Sequence, residues 1–349
     1  MKVFVTGSTG LLGNNVVRAL REGGHEVTGL VRSPDKARKL LGDLDGVHFV
    51  RGDMRDVASF ADALEGHDAV VHTAAYFREY YAPGDHEDAL RLVNIEGTLA
   101  LMRAADEHRV GVFIHTSSSG AVGTTRDGSP ADEDTPLADA QIDNRYFASK
   151  VQGEQKIAAF RSDHGMKVVQ ILPGWMFGPG DVGPTNAGRM VLDIFAEKFP
   201  AVPPGGASIV DARDVADAIV RATERAEDGE RFLVAGRFVT LRQCVDAIAD
   251  ASGAAKPKWT MPAALALLLA YGSELWARLT KGAPAIPIAG IRVMLARHRY
   301  SSQKAITRLG VDFRPFSDTA RDVVDFYRAQ GAQFGFEIPA KVAHRPAVA

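Results

Sequence analysis

KVFVTGSTGLLG, from Lys2 to Gly13, decides how the first part of the chain is read. Val3, Phe4 and Val5 form a β-branched and aromatic run that ends at Thr6, and glycines follow at intervals of three: Gly7, Gly10 and Gly13. A strand that turns directly into a helix has a use for each. Gly7 permits a tight turn, Gly10 lets backbone N–H groups approach a pyrophosphate at a helix N-terminus, and Gly13 lets the helix lie against the strand. Leu12, Val16, Val17 and Leu20 then recur at helical spacing until Gly23 and Gly24 end the pattern. A glycine triplet alone is a weak signal; its place between a strand and an amphipathic helix makes it specific.

Working outward, five more short apolar runs alternate with helical patterns: His25 to Arg32, Val47 to Asp53, Asp68 to Ala75, Val112 to Ser118 and Lys167 to Gly174. Their continuous apolar character indicates strands covered on both faces, hence a parallel sheet. Right-handed crossovers make it an α/β, Rossmann-type doubly wound sheet. After Gly174 the alternation fails and the chain is rich in Gly and Pro up to Gly206. The run Ser208 to Ala226, followed by RFLVAG (Arg231 to Gly236), reads as a strand, a helix and a strand returning to the sheet. More helices are expected from Thr240. The expected division is therefore 1–172 and 207–238 as a dinucleotide-binding unit, 173–206 and 239–340 as an interleaved, smaller, mostly helical substrate subdomain, and 341–349 as a tail.

The 349 residues are 46% apolar and 24% charged, enough to bury a sizeable core. Lys plus Arg number 41 against 43 Asp plus Glu, so no large positive field exists to attract nucleic acid. Cys244 has no cysteine to pair with, and Met1 to Thr6 runs straight into a strand without a charged leader and cleavage site. The location is read as cytoplasmic. The most apolar stretch, Met261 to Tyr271, falls short of a membrane span and is read as a helix of the substrate side, with interfacial membrane contact as the alternative; Leu265, Leu268, Leu269, Leu275 and Trp276 would also suit a buried helix face. Ten His residues show no paired metal spacing, so no metal is expected. No Gly-x-Ser-x-Gly occurs, which removes the usual serine hydrolase.

An Asp or Glu closing the second strand would hydrogen-bond the ribose 2′-OH of NAD. Here the strand ends in Arg32 and Ser33, with Lys36 nearby and Asp35 beyond the strand end. A guanidinium suits a 2′-phosphate, which favours NADP over NAD. Asp53, closing the third strand, is placed to accept from the adenine amino group, or simply to cap a turn. Tyr146 and Lys150 stand four apart, one turn along a helix face. A Lys ammonium beside a phenol favours phenolate, so the tyrosine can exchange a proton with a carbonyl or alcohol oxygen. Thr116 to Ser119 close the fifth strand, where hydroxyls face the cofactor crevice.

Together with HTAA (His72 to Ala75), VNIEGTLALMRAA (Val93 to Ala105), YFASK (Tyr146 to Lys150), ILPGWMFGPGD (Ile171 to Asp181) and VDARDVADAI (Val210 to Ile219), these stretches resemble the extended short-chain dehydrogenase/reductase family over nearly the whole chain. Within it the chain is most similar to the dihydroflavonol 4-reductase-like and 3β-hydroxysteroid dehydrogenase-like branch. The resemblance implies that Ser118 hydrogen-bonds the substrate oxygen, Tyr146 exchanges its proton, and Lys150 holds the nicotinamide ribose. It implies a cofactor lining of Thr9, Leu11 and Leu12 beside the glycines, Met54 beside Asp53, then Thr73, Ala74, Ala75, Pro173, Gly174 and Met176. Asn94 supports a water path or only packs. A homodimer is common in the family. The acidic pair that dehydratases carry after the catalytic hydroxyl is absent, since Ser119 and Gly120 follow Ser118.

Tyr76, Phe77, Tyr80 and Tyr81 emerge from the fourth strand beside the expected nicotinamide, with Trp175 on the other side. Aromatic walls fit a hydrophobic or aromatic ketone, with Ser119 and Arg189 as further substrate contacts. The same aromatics could instead pack a lid. The expected activity is NADP-dependent ketone reduction. The alternatives are an NAD-dependent nucleotide-sugar epimerase, in which arginines such as Arg189 hold a diphosphate, and a non-catalytic NADP-binding sensor.

Overall fold

The computed structural model describes residues 1–42, 44–77, 86–125, 127–137, 144–161, 165–280, 282, 284 and 288–339. Six strands follow the six apolar runs: β1 (Lys2–Thr6), β2 (Glu26–Val31), β3 (Val47–Arg51), β4 (Ala69–His72), β5 (Val112–Thr116) and β6 (Lys167–Pro173). Six more come later, namely β7 (Trp175–Phe177), β8 (Ala201–Val202), β9 (Gly206–Asp211), β10 (Arg231–Val234), β11 (Arg237–Thr240) and β12 (Trp259–Thr260). The main sheet has seven strands in the order β10-β6-β5-β4-β1-β2-β3. Every pairing within it is parallel. The order reverses between β1 and β4, and ligands of such sheets bind beyond the carboxyl ends of the strands at that reversal. The glycine turn leaves β1 at this point.

Alternation along the strands builds two cores. Val3, Val5, Ile114 and Val169 face the helices Leu11–Glu22 and Ala212–Arg225, which bury Val16, Val17, Leu20, Val215 and Ile219 with them. Phe4, Val70, Phe113 and Val168 face the other side, against Leu101 and Ile157 of the helices Gly97–Glu107 and Arg145–Arg161. A third core gathers Val191 and Phe195 with Val245, Ile248, Val324 and Tyr327, from helices Asn186–Phe195, Leu241–Ser252 and Phe316–Gln330.

One expectation is corrected. The strand that opens the Ser208 to Ala226 run does not return to the main sheet: β9 lies between β7 and β11 in a separate three-stranded sheet. β10 does return, pairing with β6. The diversion begins at Gly174, where a Cβ would come within 2.6 Å of the Ser208 carbonyl and 2.8 Å of that of Ala235. A close backbone crossing there lets the chain leave β6 and pair with β9.

Candidate active site

The turn after β1 has the geometry its glycines suggested. Gly7 takes a φ of +69°, and its carbonyl accepts from Gly10 N at 2.8 Å. A Cβ at Gly7 would lie 2.7 Å from Ala74 N, and one at Gly13 only 2.1 Å from Gly7 O. The helix Leu11–Glu22 starts at Gly10 with no side-chain cap, so its first N–H groups are left to a ligand or solvent. Asn14 and Asn15 tie that helix to the loop after β7, donating to Gly180 O and Pro179 O at 3.1 and 2.9 Å. Thr73 donates to Thr6 O at 2.8 Å, and Ala74 N donates to Thr6 Oγ1 at 3.3 Å, which draws the end of β4 beside the turn. Gly7 thus meets Thr73 and Ala74, with Gly10 and Gly13 packed on Gly7, in one cradle that suits a dinucleotide pyrophosphate; Thr9 and Ala75 adjoin it in sequence.

At the next strand end Arg32 is exposed and holds no ion pair among the described residues. Asp35, the counter-argument for NAD, is instead bound by Arg38 at 2.7 Å. Ser33 caps the helix Pro34–Leu41, accepting from Lys36 N. Asp53 is gripped by Arg55, whose Nε and NH2 donate at 3.0 and 2.8 Å; that hydrogen bond holds the carboxyl below the usual range. An adenine amino group would have to share it. Met54 is buried beside Asp53, and Gly97 is held close to the Met54 carbonyl, where a Cβ would come within 2.5 Å.

The candidate pair Tyr146 and Lys150 stands on the helix Arg145–Arg161, whose start is capped by Asn144 Oδ1 accepting from Tyr146 N and Phe147 N at 3.1 and 3.2 Å. Tyr146, Lys150 and Glu154 share one face. Lys150 is buried; its Nζ donates to Thr116 O at 2.8 Å and lies 5.9 Å from the Tyr146 ring centroid. Burial brings its pKa down to about 8, against the pull of Glu154. Glu154 in turn accepts from Ser117 Oγ and pairs with Arg231 at 2.8 Å; burial pushes its carboxyl up, and both partners oppose this.

These contacts separate the three serines. Ser117 is committed to Glu154, and Ser119 is buried. Ser118 accepts from Gly120 N at 3.1 Å, which leaves its hydroxyl proton to give. Phe77 places its ring 4.8 Å from that of Tyr146. Tyr76 turns away, its hydroxyl 2.7 Å from His86 Nδ1. Asn94 lies in a π-helical turn, a geometry common at functional sites, and clamps Tyr76 by both backbone groups at 2.7 and 3.1 Å. It therefore fixes the segment that carries Phe77.

Trp175 packs into the third core and meets Phe177 edge-to-face at 4.8 Å, whereas Met176 packs towards the main sheet. Arg189 is exposed on the helix Asn186–Phe195, and among the described residues no hydrogen bond or ion pair joins it to Tyr146, Lys150 or Ser118. Tyr80 lies outside the described residues. Sequence reasoning passed over Glu154, although its spacing from Lys150 repeats that of Lys150 from Tyr146.

Beneath the site, neighbouring strands carry His72 and His115, stacked at 5.6 Å. His72 sits between Thr6 Oγ1 at 2.7 Å and Thr98 Oγ1 at 3.0 Å, while neither His115 nitrogen has a partner among the described residues. Burial lowers both pKa values, with Lys150 adding to it: His72 falls to about 3 and His115 well below 6.5. Above pH 6.5 both are neutral folded or unfolded and contribute nothing to pH dependence. As pH falls below 6.5 only the unfolded chain takes up protons, so each costs about 1.4 kcal/mol of stability per pH unit. His115→Leu is expected to remove one such increment from the acid slope, measured by urea melts between about pH 6 and 4. An unchanged slope would mean that His115 is protonated in the fold.

A family model described as the NAD dependent epimerase/dehydratase family matches residues 3–235. The chain is 28% identical over 335 residues to a protein of Synechocystis sp. assigned as a dihydroflavonol 4-reductase, covering 94% of this chain and 95% of that one. It is 30% identical over 335 residues to sterol demethylase protein B of Methylococcus capsulatus, covering 95% and 99%. The crystal structure of gox2253 superposes with a TM-score of 0.80 at 32% identity, covering 94% of this chain and 98% of that one. The chain belongs to the NAD dependent epimerase/dehydratase family and is an NAD(P)-dependent enzyme of the extended short-chain dehydrogenase/reductase type.

Proposed function

We propose that this enzyme reduces a hydrophobic or aromatic ketone to an alcohol with NADP as cofactor, as a dihydroflavonol 4-reductase-like reductase. The observation that carries the reading is the Phe77 ring 4.8 Å from Tyr146, an apolar wall at the proton donor where a sugar ring would call for hydrogen-bonding partners. The names of the two relatives, a dihydroflavonol reductase and a sterol-processing protein, support a flat or apolar substrate. Residues 1–172 and 207–238 bind the nucleotide, and 173–206 and 239–340 form the substrate side. A cytoplasmic location accompanies this reading.

The glycine turn, Arg32, Asp53 and the ends of β4 and β6 would hold the dinucleotide, which supplies the hydride when bound. Everything else falls to the chain's own residues. Ser118 donates a hydrogen bond to the carbonyl oxygen, orienting it and drawing electron density from the carbon. Tyr146 gives its proton to that oxygen as negative charge develops. Lys150, in its ammonium form, favours the phenolate that remains and holds the nicotinamide ribose. Phe77, its ring against that of Tyr146, shields this transfer from water.

Arg32→Ala tests the cofactor choice. It is expected to raise Kd for NADPH by about 10- to 100-fold, the loss of charge-assisted hydrogen bonds to a 2′-phosphate, while NADH changes by no more than about twofold. Equal losses for both would refute the assignment to NADP.

A further inference from the structure

Helices normally bury their large apolar side chains and expose small or polar ones. The helix Ala263–Thr280 does the reverse. Its buried residues are Ala266, Ala270 and Ala277, while Leu268, Leu275, Trp276 and Leu279, together with Trp259 just before it, are 61% to 75% exposed. Apart from Met1, Leu92 and Ile306, the large hydrophobic residues exposed among the described residues lie between Trp259 and Leu279. Such a concentration marks an interaction surface rather than scattered exposure.

The charge of the same segment says what covers it. Residues 256–299 hold seven Lys or Arg against one acid, Glu274, a net +6 in a chain of net charge -2. Lys256, Lys258, Arg292, Arg297 and Arg299 are exposed, although Lys256 is shared with Asp250 at 2.6 Å. Lys258 adjoins Trp259, and Arg292 donates to the Tyr271 hydroxyl at 2.8 Å, which places a cation against the apolar face. A second copy of the chain would bring this face against itself in a twofold contact and oppose like charges. An anionic lipid surface accepts the leucines and tryptophans among its acyl chains and the cations at its headgroups. The helix does not span: it has 18 residues with Ser273 and Glu274 in its middle, and among the described residues no helix is long and apolar enough to cross a membrane.

We infer that Trp259 and the helix Ala263–Thr280 form a docking face by which the enzyme lies on an anionic membrane surface. This holds whichever carbonyl compound the active site takes. A lipophilic substrate would be met where it partitions.

The test is co-sedimentation of the full chain with vesicles of phosphatidylcholine alone and of phosphatidylcholine mixed with phosphatidylglycerol, at low and high salt. Binding to the anionic vesicles, weakened by salt and accompanied by a blue shift of Trp fluorescence, is expected. The triple variant Leu268→Ser, Trp276→Ser, Leu279→Ser changes only exposed side chains and is expected to bind at least about tenfold more weakly. Lys258→Glu with Arg292→Glu is expected to weaken binding to anionic vesicles selectively. Absence of wild-type binding to anionic vesicles overturns the proposal. So does undiminished binding by the apolar variant, or a solution dimer that this variant dissociates while vesicles bind neither protein.

Discussion

Tyr146→Phe is expected to lower kcat for ketone reduction by about 10²- to 10⁴-fold, the range for loss of a positioned proton donor. The Kd for NADPH should change by less than about twofold, because a hydroxyl beside a carbonyl carries little of the cofactor's binding. The substitution removes one oxygen and little else. The ring keeps its contacts with Phe77 at 4.8 Å and Phe147 at 5.9 Å, and the Asn144 cap acts through the backbone. Single-turnover and binding measurements on the same sample separate the two effects. Unchanged turnover would show that another group, or water, delivers the proton.

Lys150→Met carries the second largest effect, because it removes a buried cation while keeping most of the side-chain volume. Turnover is expected to fall by about 10²-fold or more, with weaker cofactor binding, since Lys150 serves both. The pH profile gives a sharper readout. With the Lys150 pKa near 8, wild-type activity should decline as pH rises through that value and the ammonium supporting Tyr146 is lost. The variant should lack that limb.

Stability moves the other way. In the folded chain Lys150 gives up its proton near pH 8, against 10.5 for an ordinary lysine. Between these values the unfolded state binds the extra proton, so folded-state stability rises with pH by about 1.4 kcal/mol per unit from this group. Lys150→Met should abolish this increment, measured by urea melts between about pH 8 and 10. An increment of the same size in the variant would place its source elsewhere.

The parts of the site legible in the sequence are those whose chemistry acts over a few residues. Gly7, Gly10 and Gly13 announce a turn because the steric demand lies within one strand–helix junction, and Gly13 meets Gly7 itself. Tyr146 and Lys150 share a face by helix geometry alone. Asp53 was equally local: its clamp by Arg55, two residues on, competes with the adenine contact assigned to it.

Less legible was whatever depends on long-range pairing. The apolar run of β9 looks like any strand of the main sheet, and only its partners β7 and β11 place it elsewhere. Ser117, Ser118 and Ser119 are equivalent by composition; they differ because Glu154 claims Ser117 while Ser118 accepts from Gly120 N. The turning of Tyr76 towards His86 rests on a π-helical turn at Asn94 that no periodicity foretells. Ala263–Thr280 is a different case. The sequence shows an apolar helix, and the natural expectation is burial of its leucines, yet the fold buries its alanines.

The most direct test of ketone reduction with NADP is to denature freshly purified enzyme and identify the nicotinamide it releases. A reductase must exchange its cofactor at every turnover, so little bound nucleotide, or NADP that added NADPH readily displaces, is predicted. Near-stoichiometric NAD that does not exchange would contradict it, because a cofactor retained through oxidation and re-reduction of one carbon belongs to an epimerase.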